Sequence, residues 1–156
     1  MRAVLALAPV ALLATSCGGT KNDPYAKSIA MGSEHVEFTA DVSRGKARER
    51  ITGSGDFTNA PDRGRYRFVA GGKTYRQVFA NGRIYVYVYG QWLPGKLTTH
   101  SPQTPAMMFR AHLPATVEGG LIRSITVRDV GGVATYVFSN YGEHVSVTVP
   151  RVKGSK

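Results

Sequence analysis

A chain of 156 residues is long enough for one domain with one core, and its lone cysteine excludes an internal disulfide or a CxxC metal or redox pair. Twenty Lys and Arg against ten Asp and Glu leave a formal charge of +10. That balance points to an anionic partner, either nucleic acid or a membrane surface.

The chain opens as an export signal. Met1 and Arg2 supply a positive start, Ala3 to Ala14 is apolar apart from Pro9, and the small residues Ala14, Thr15 and Ser16 follow. The run is too short to cross a hydrocarbon core of roughly 30 Å, which needs about 20 apolar residues. Cys17 comes next, and Leu13-Ala14-Thr15-Ser16-Cys17 resembles a bacterial lipobox with Ala14 where leucine is commoner. In such signals the cysteine is acylated and becomes the first residue after cleavage. Residues 1–16 are thus read as a lipoprotein signal and Cys17 as the lipidation site, with the protein exported and held on the outer face of the cell membrane. The competing reading is an ordinary cleaved signal that leaves Cys17 as a free surface thiol. Export speaks against nucleic acid, so membrane phosphates become the expected counterpart of the positive charge. Each nearby Lys or Arg would add about 1 kcal/mol of attraction.

Residues 17–32 read as a Gly- and Asp-containing linker, with a short helix over Ala26–Met31. Strand signals then follow one another. Val36, Phe38, Ala40 and Val42 alternate with polar neighbours, and Ile51, Gly53, Gly55 and Phe57 continue the period of two. Arg63, Arg65 and Arg67 share one face, opposite Gly64, Tyr66 and Phe68. Gly71-Gly72 separates that segment from Thr74–Ala80. Asn81-Gly82, flanked by β-formers, specifies a two-residue type I′ hairpin. In the strand after it Ile84, Val86 and Val88 face one way, and Tyr85, Tyr87 and Tyr89 the other.

Beyond Trp92 the pattern breaks at Pro94, Gly95, Pro102 and Pro105. Thr104-Pro105 has the form of an N-cap followed by proline in the first helical position, which predicts a short helix over Ala106–His112. Strands resume over Ile122–Val130 and Val133–Ser139 around Gly131-Gly132. Asn140-Tyr141-Gly142 turns into a final strand with Val145, Val147 and Val149, and residues 151–156 form a tail. The sum is a mainly β (α+β) domain over residues 33–150.

Nothing in the chain demands an enzyme, a metal or a cofactor. His35, His100, His112 and His144 are scattered, Gly53-Ser54-Gly55 lacks the strand-to-helix turn of a nucleophile elbow, and no glycine-rich phosphate loop opens a helix. Two basic rows, Arg44/Lys46/Arg48/Arg50 and Arg63/Arg65/Arg67, are open to two readings. One is a patch that meets anionic lipid; the other is a solvated sheet face that resists edge-to-edge pairing. The tyrosine row is either packing under a helix or the wall of a ligand site.

Several segments together resemble exported actinobacterial lipoproteins. They are Ser33-Glu34-His35-Val36-Glu37-Phe38, Gly53-Ser54-Gly55-Asp56-Phe57, Asn81-Gly82-Arg83-Ile84-Tyr85-Val86 running into Gly90-Gln91-Trp92, and Phe138 to Val147 ending at Pro150. The resemblance is to the LolA-like lipoproteins related to the mycobacterial LppX/LprG group. It implies a curved, open antiparallel half-barrel with helices on its concave side. It also implies a lipid or glycolipid acyl chain held between sheet and helices by Val36, Phe38, Ile84, Val86, Val88 and Trp92. Where family members carry further strands, Leu93–Gly120 offers a loop and a short helix, so a reduced sheet is expected. The alternative function is an envelope-sensing or protein-docking module with a filled core.

Overall fold

Among the residues the structure describes, nine strands pair into one antiparallel sheet. It is a computed structural model that describes residues 22–44, 47–96, 104–129 and 131–152. The expected signal over 1–16, Cys17, Lys46, His100, Pro102 and the tail beyond 152 lie outside the described residues. The strands are β1 (Ser33–Arg44), β2 (Ala47–Asn59), β3 (Asp62–Ala70), β4 (Lys73–Ala80), β5 (Arg83–Val88), β6 (Gln91–Lys96), β7 (Ala115–Glu118), β8 (Leu121–Asp129) and β9 (Gly132–Ser139). Helix α1 (Pro24–Ala30) precedes β1, and α2 (Pro105–Arg110) lies between β6 and β7. The order β6-β5-β4-β3-β2-β1-β9-β8-β7 joins two meanders through the β1–β9 pair and leaves the sheet open. No helix among the described residues is long and apolar enough to cross a membrane.

Turn chemistry sets the registers. Asn81 and Gly82 take φ of 55° and 68°, the left-handed pair that a type I′ hairpin requires. Tyr89 and Gly90 do the same, at 50° and 79°, and turn β5 into β6. Tyr89 therefore leaves the strand and is 98% exposed, so the expected tyrosine row contracts to Tyr85 and Tyr87. β6 tolerates Pro94 because an edge strand needs ladder donors on one side only.

Four expectations need correction. Leu93–Gly120 holds more than a loop and a helix, since β6 runs to Lys96 and β7 occupies Ala115–Glu118. The row from Arg44 to Arg50 is not one strand: β1 ends at Arg44 and β2 begins at Ala47, so Arg48 and Arg50 alone share a strand face. The segment with Val145, Val147 and Val149 has no place in the sheet. It leaves β9 beside the start of β1, where Gly142 N donates to Ser33 O (3.0 Å) and Ser33 Oγ to Glu143 O (2.5 Å). Val147, Val149 and Val152 then pack on Val78, Ala80 and Tyr85. Both helices are also shifted. α1 begins at Pro24 because Asp23 caps it, accepting from Tyr25 N (2.9 Å), and α2 stops at Arg110. The cap expected for α2 is present, with Thr104 Oγ1 accepting from Met107 N (3.3 Å).

Both helices lie on one face of the sheet, here called inner. Their apolar side chains complete a core of Val36, Phe57, Phe79, Met108, Phe109, Ile122, Ile125 and Phe138. Phe109 of α2 and Phe138 of β9 are fully buried, with ring centroids 5.0 Å apart. Burying side chains of this size contributes about 1.5–3 kcal/mol each. Ile122 and Ile125 are three residues apart, which no regular strand can place on one face. The register between β7 and β8 slips past Arg123, where Thr116 pairs with Ser124 but Val117 with Ile122. On the side facing β9 the pairing of β8 stops at Ser124, and side chains bond the backbone of Ile122 instead. Ile122 N donates to Ser28 Oγ of α1 (2.9 Å), and Tyr141 Oη donates to Ile122 O (2.6 Å). The bulge thus lets both isoleucines be buried, and the backbone of Ile122 holds α1 through Ser28.

Candidate functional site

The floor of the site is made where β2 lacks side chains. On the inner face Phe38 of β1 and Phe68 of β3 both pair with Gly53, Tyr66 pairs with Gly55, and Phe57 pairs with Gly64. A Cβ at Gly53 would strike the Phe38 ring, one at Gly55 the Tyr66 ring, and one at Gly64 the Phe57 ring. Strands two apart lie roughly 10 Å from each other, yet the Phe38 and Tyr66 rings are centred 5.0 Å apart. They lean toward each other across β2, into the space the glycines leave. The aromatic series continues from Tyr136 to Phe38 (5.9 Å), Tyr66 to Phe68 (6.1 Å) and Phe68 to Tyr75 (5.0 Å).

Above this floor is a groove of about 360 Å³. Val36, Ile51, Phe57 and Phe79 form walls, and Pro105 and Met108 bring α2 over it as a partial roof. Gln77, Tyr66 and Tyr136 carry its polar side-chain atoms. Burial, with a smaller contribution from Tyr136, pushes the Tyr66 phenol far above its ordinary range and keeps it neutral. The roof is pinned to the β2–β3 hairpin. Thr104 Oγ1 donates to Asp62 Oδ2 (2.8 Å), and Arg110 Nη2 donates to Asn59 O (3.3 Å). Burial raises the Asp62 carboxyl, against the opposing pull of Thr104 and Arg110.

Of the residues expected at a ligand site, Val36 and Phe38 stand in the groove. Ile84 packs against the inner core, and Val86, opposite Gln77, shares that inner face with Val88 farther along β5. Trp92 is on the other side of the sheet. The two-residue turn at Tyr89-Gly90 pairs Trp92 with Tyr87, so it takes the outer face and packs there with ring centroids 5.2 Å apart. Ile51, Phe57, Tyr66, Phe68, Phe79, Met108 and Tyr136 also line the groove, and the sequence does not mark them as ligand-site residues. The alternation of Tyr66 and Phe68 against three arginines was the available signal for two of them.

The outer face is basic. Arg63, Arg65 and Arg67 of β3 stand on it as their alternation requires. Arg65 is spent on Asp56, donating from Nε (3.0 Å) and Nη2 (2.8 Å) to Oδ2, while His35 Nδ1 donates to Oδ1 (2.7 Å). Burial works to raise the Asp56 carboxyl, but the bonds from His35 and Arg65 outweigh it and hold the group below the usual carboxylate range. Arg63 Nη2 reaches Asn81 Oδ1 at 3.4 Å. Among the described residues no three His, Asp or Glu side chains gather as a metal site would need.

No protein family's sequence profile matches this chain, and no curated protein matches it. A likeness does exist among solved structures. The crystal structure of LprF from Mycobacterium bovis aligns with a TM-score of 0.52 over 82% of this chain and 93% of that one, at 10% sequence identity. The shared architecture is the LolA-like fold, an open antiparallel sheet with short helices on one face.

The groove is flanked under α1 by a buried polar cluster. Glu34 shares the inner face with Val36 but is 1% exposed. Asn59 Nδ2 donates to Glu34 Oε2 (2.7 Å), while Glu34 Oε1 and Asn59 Oδ1 are buried without partners. Burial lifts the Glu34 pKa from 4.5 to about 8, against the Asn59 hydrogen bond and with help from Asp62. The neutral acid brings an O–H donor to a cluster that has orphaned acceptors. The folded protein then keeps a proton that the unfolded chain releases. The stability that this proton confers is complete below pH 4.5 and is lost as pH rises toward 8. Glu34→Gln, neutral at every pH, should remove that loss. In urea unfolding its stability relative to the parent should grow by on the order of a few kcal/mol between about pH 5 and about pH 8. A difference independent of pH would show that Glu34 is ionised in the fold.

Proposed function

We propose that this protein is a non-catalytic envelope lipoprotein, exported and anchored through acylated Cys17, whose inner groove takes up an apolar ligand such as the acyl chain of a lipid or glycolipid. The observation that carries the reading is the groove itself. It is floored by aromatic rings, roofed by Met108 and Pro105, and supplied with few polar side-chain atoms. Such a surface recognises a chain by apolar contact and excludes ions and polar metabolites. Its volume lies at the low end of the roughly 300–1,000 Å³ typical of small-molecule pockets, which suits part of one chain better than a multi-chain lipid. The likeness of fold to LprF supports the same reading. A protein-docking module would need a filled interior, and the open groove speaks against it.

Ile51 lines the groove without belonging to the buried core, so Ile51→Trp should fill the space at small cost to the fold. The variant should lose most of its capacity to bind a fluorescent fatty acid while its melting temperature stays close to the parent's. Unchanged binding would place the ligand elsewhere; a parent that binds no fatty acid, together with a strongly destabilised variant, would favour the filled-core docking module. Anchoring has its own test. Cys17→Ala should release the protein from membranes or leave its signal uncleaved, and a mature-sized variant that still fractionates with membranes would contradict the lipobox reading.

A further inference from the structure

The expected basic row is not uniform once its partners are known. Arg65 is held by Asp56 and Arg63 reaches Asn81, whereas Arg67 makes no ion pair or hydrogen bond from its side chain among the described residues. Directly opposite Arg67 on β4 stands Arg76, on the same outer face. Like charges opposed across an antiparallel pair repel at about 5 Å between Cβ atoms and destabilise the sheet. No carboxylate relieves this pair within the described residues. Arg76 is instead drawn over the Tyr87 ring, 4.2 Å from its centroid, and Tyr87 in turn packs edge-on against Trp92.

Both guanidinium side chains border one outer-face depression of about 370 Å³, together with Ser54, Trp92 and the Asp56–Arg65–His35 group. The one carboxylate there, Asp56, already accepts from three N–H groups, so its charge is answered locally. What is left over is a surplus of positive charge. Arg67 and Arg76, directly paired across β3 and β4, line the depression together with Ser54 and Trp92. A carboxylate is satisfied by one fork, whereas a phosphoryl group offers oxygens enough for two.

We propose that Arg67 and Arg76 form an anion site on the outer face that binds a phosphoryl group, with Ser54 as an additional donor and Trp92 as its flank. The site is separate from the inner groove, and neither depends on the other. The phosphoryl group can come from a soluble phosphate ester or from the headgroup of an anionic phospholipid, and the two sources are separable by experiment.

Trp92 is the sole tryptophan of the chain, so its fluorescence reports on this site alone. The full chain in neutral detergent is titrated at fixed ionic strength with glycerol 3-phosphate, and separately with phosphatidylglycerol in mixed micelles. A saturable change with the soluble ester identifies a free phosphate site, and one with the lipid alone identifies a headgroup site. In either case Arg67→Gln/Arg76→Gln should weaken the response about ten-fold or more. Arg48→Gln/Arg50→Gln, which removes the same charge from the other end of β2, should leave it intact. A response equalled by chloride, one that the Arg67/Arg76 double variant retains, or none with either probe overturns the site. Fatty-acid binding in the inner groove is untouched by any of these outcomes.

Discussion

The missing side chains at Gly53, Gly55 and Gly64 are the constraint on which the inner face depends. Each glycine in a strand costs roughly 0.5–1 kcal/mol relative to alanine. An aromatic side chain buries about 150–250 Å² at about 25 cal/mol per Å², so a ring laid over a glycine recovers that cost with only part of its area. With any side chain at Gly53 or Gly55, Phe38 and Tyr66 could not meet across β2, and the rings would be forced upright into the groove. The empty space between sheet and α2 therefore originates in the backbone of the central strands, not in the helices that cover it.

The two faces of the sheet solve different problems. The inner face closes over its core at one end, where the bulge at Arg123 and the hydrogen bonds of Ser28 and Tyr141 fix α1, and stays open under α2. On the outer face the extended segment that carries Val147, Val149 and Val152 covers the apolar patch of Val78, Ala80 and Tyr85. The arginines of β3 and β4 occupy the part beside it. The open apolar groove is thus on one side of the sheet and the arginines of β3 on the other.

Much of this was legible in the sequence because strand alternation and turn chemistry are local. Asn81-Gly82 fixed a hairpin, Thr104-Pro105 marked a helix start, and the alternation over 63–68 separated arginines from rings. What escaped depended on long-range packing. Tyr89-Gly90 reads as strand until its positive φ values show a turn, and that turn is what carries Trp92 to the outer face. Val145, Val147 and Val149 alternate like a strand, yet their segment crosses the outer surface without pairing, since β1 already has β2 and β9 as neighbours. The groove itself was visible only as glycines in a strand. Their meaning emerges when the register sets each against an aromatic ring.

Equilibrium unfolding in denaturant tests the glycine-seated floor most directly, with Gly64→Ala compared against Gly95→Ala. At Gly64 a methyl group would enter the ring of Phe57, which is 3% exposed and cannot move aside, whereas at Gly95 it meets only ordinary contacts with Ile84. Gly64→Ala should lose about 1–3 kcal/mol through overpacking. Gly95→Ala should be neutral or gain about 0.4–1 kcal/mol from the stiffer unfolded chain. Equal stability of the two variants would mean that the rings do not rest on the glycine backbone, and the account of the groove would fall with them.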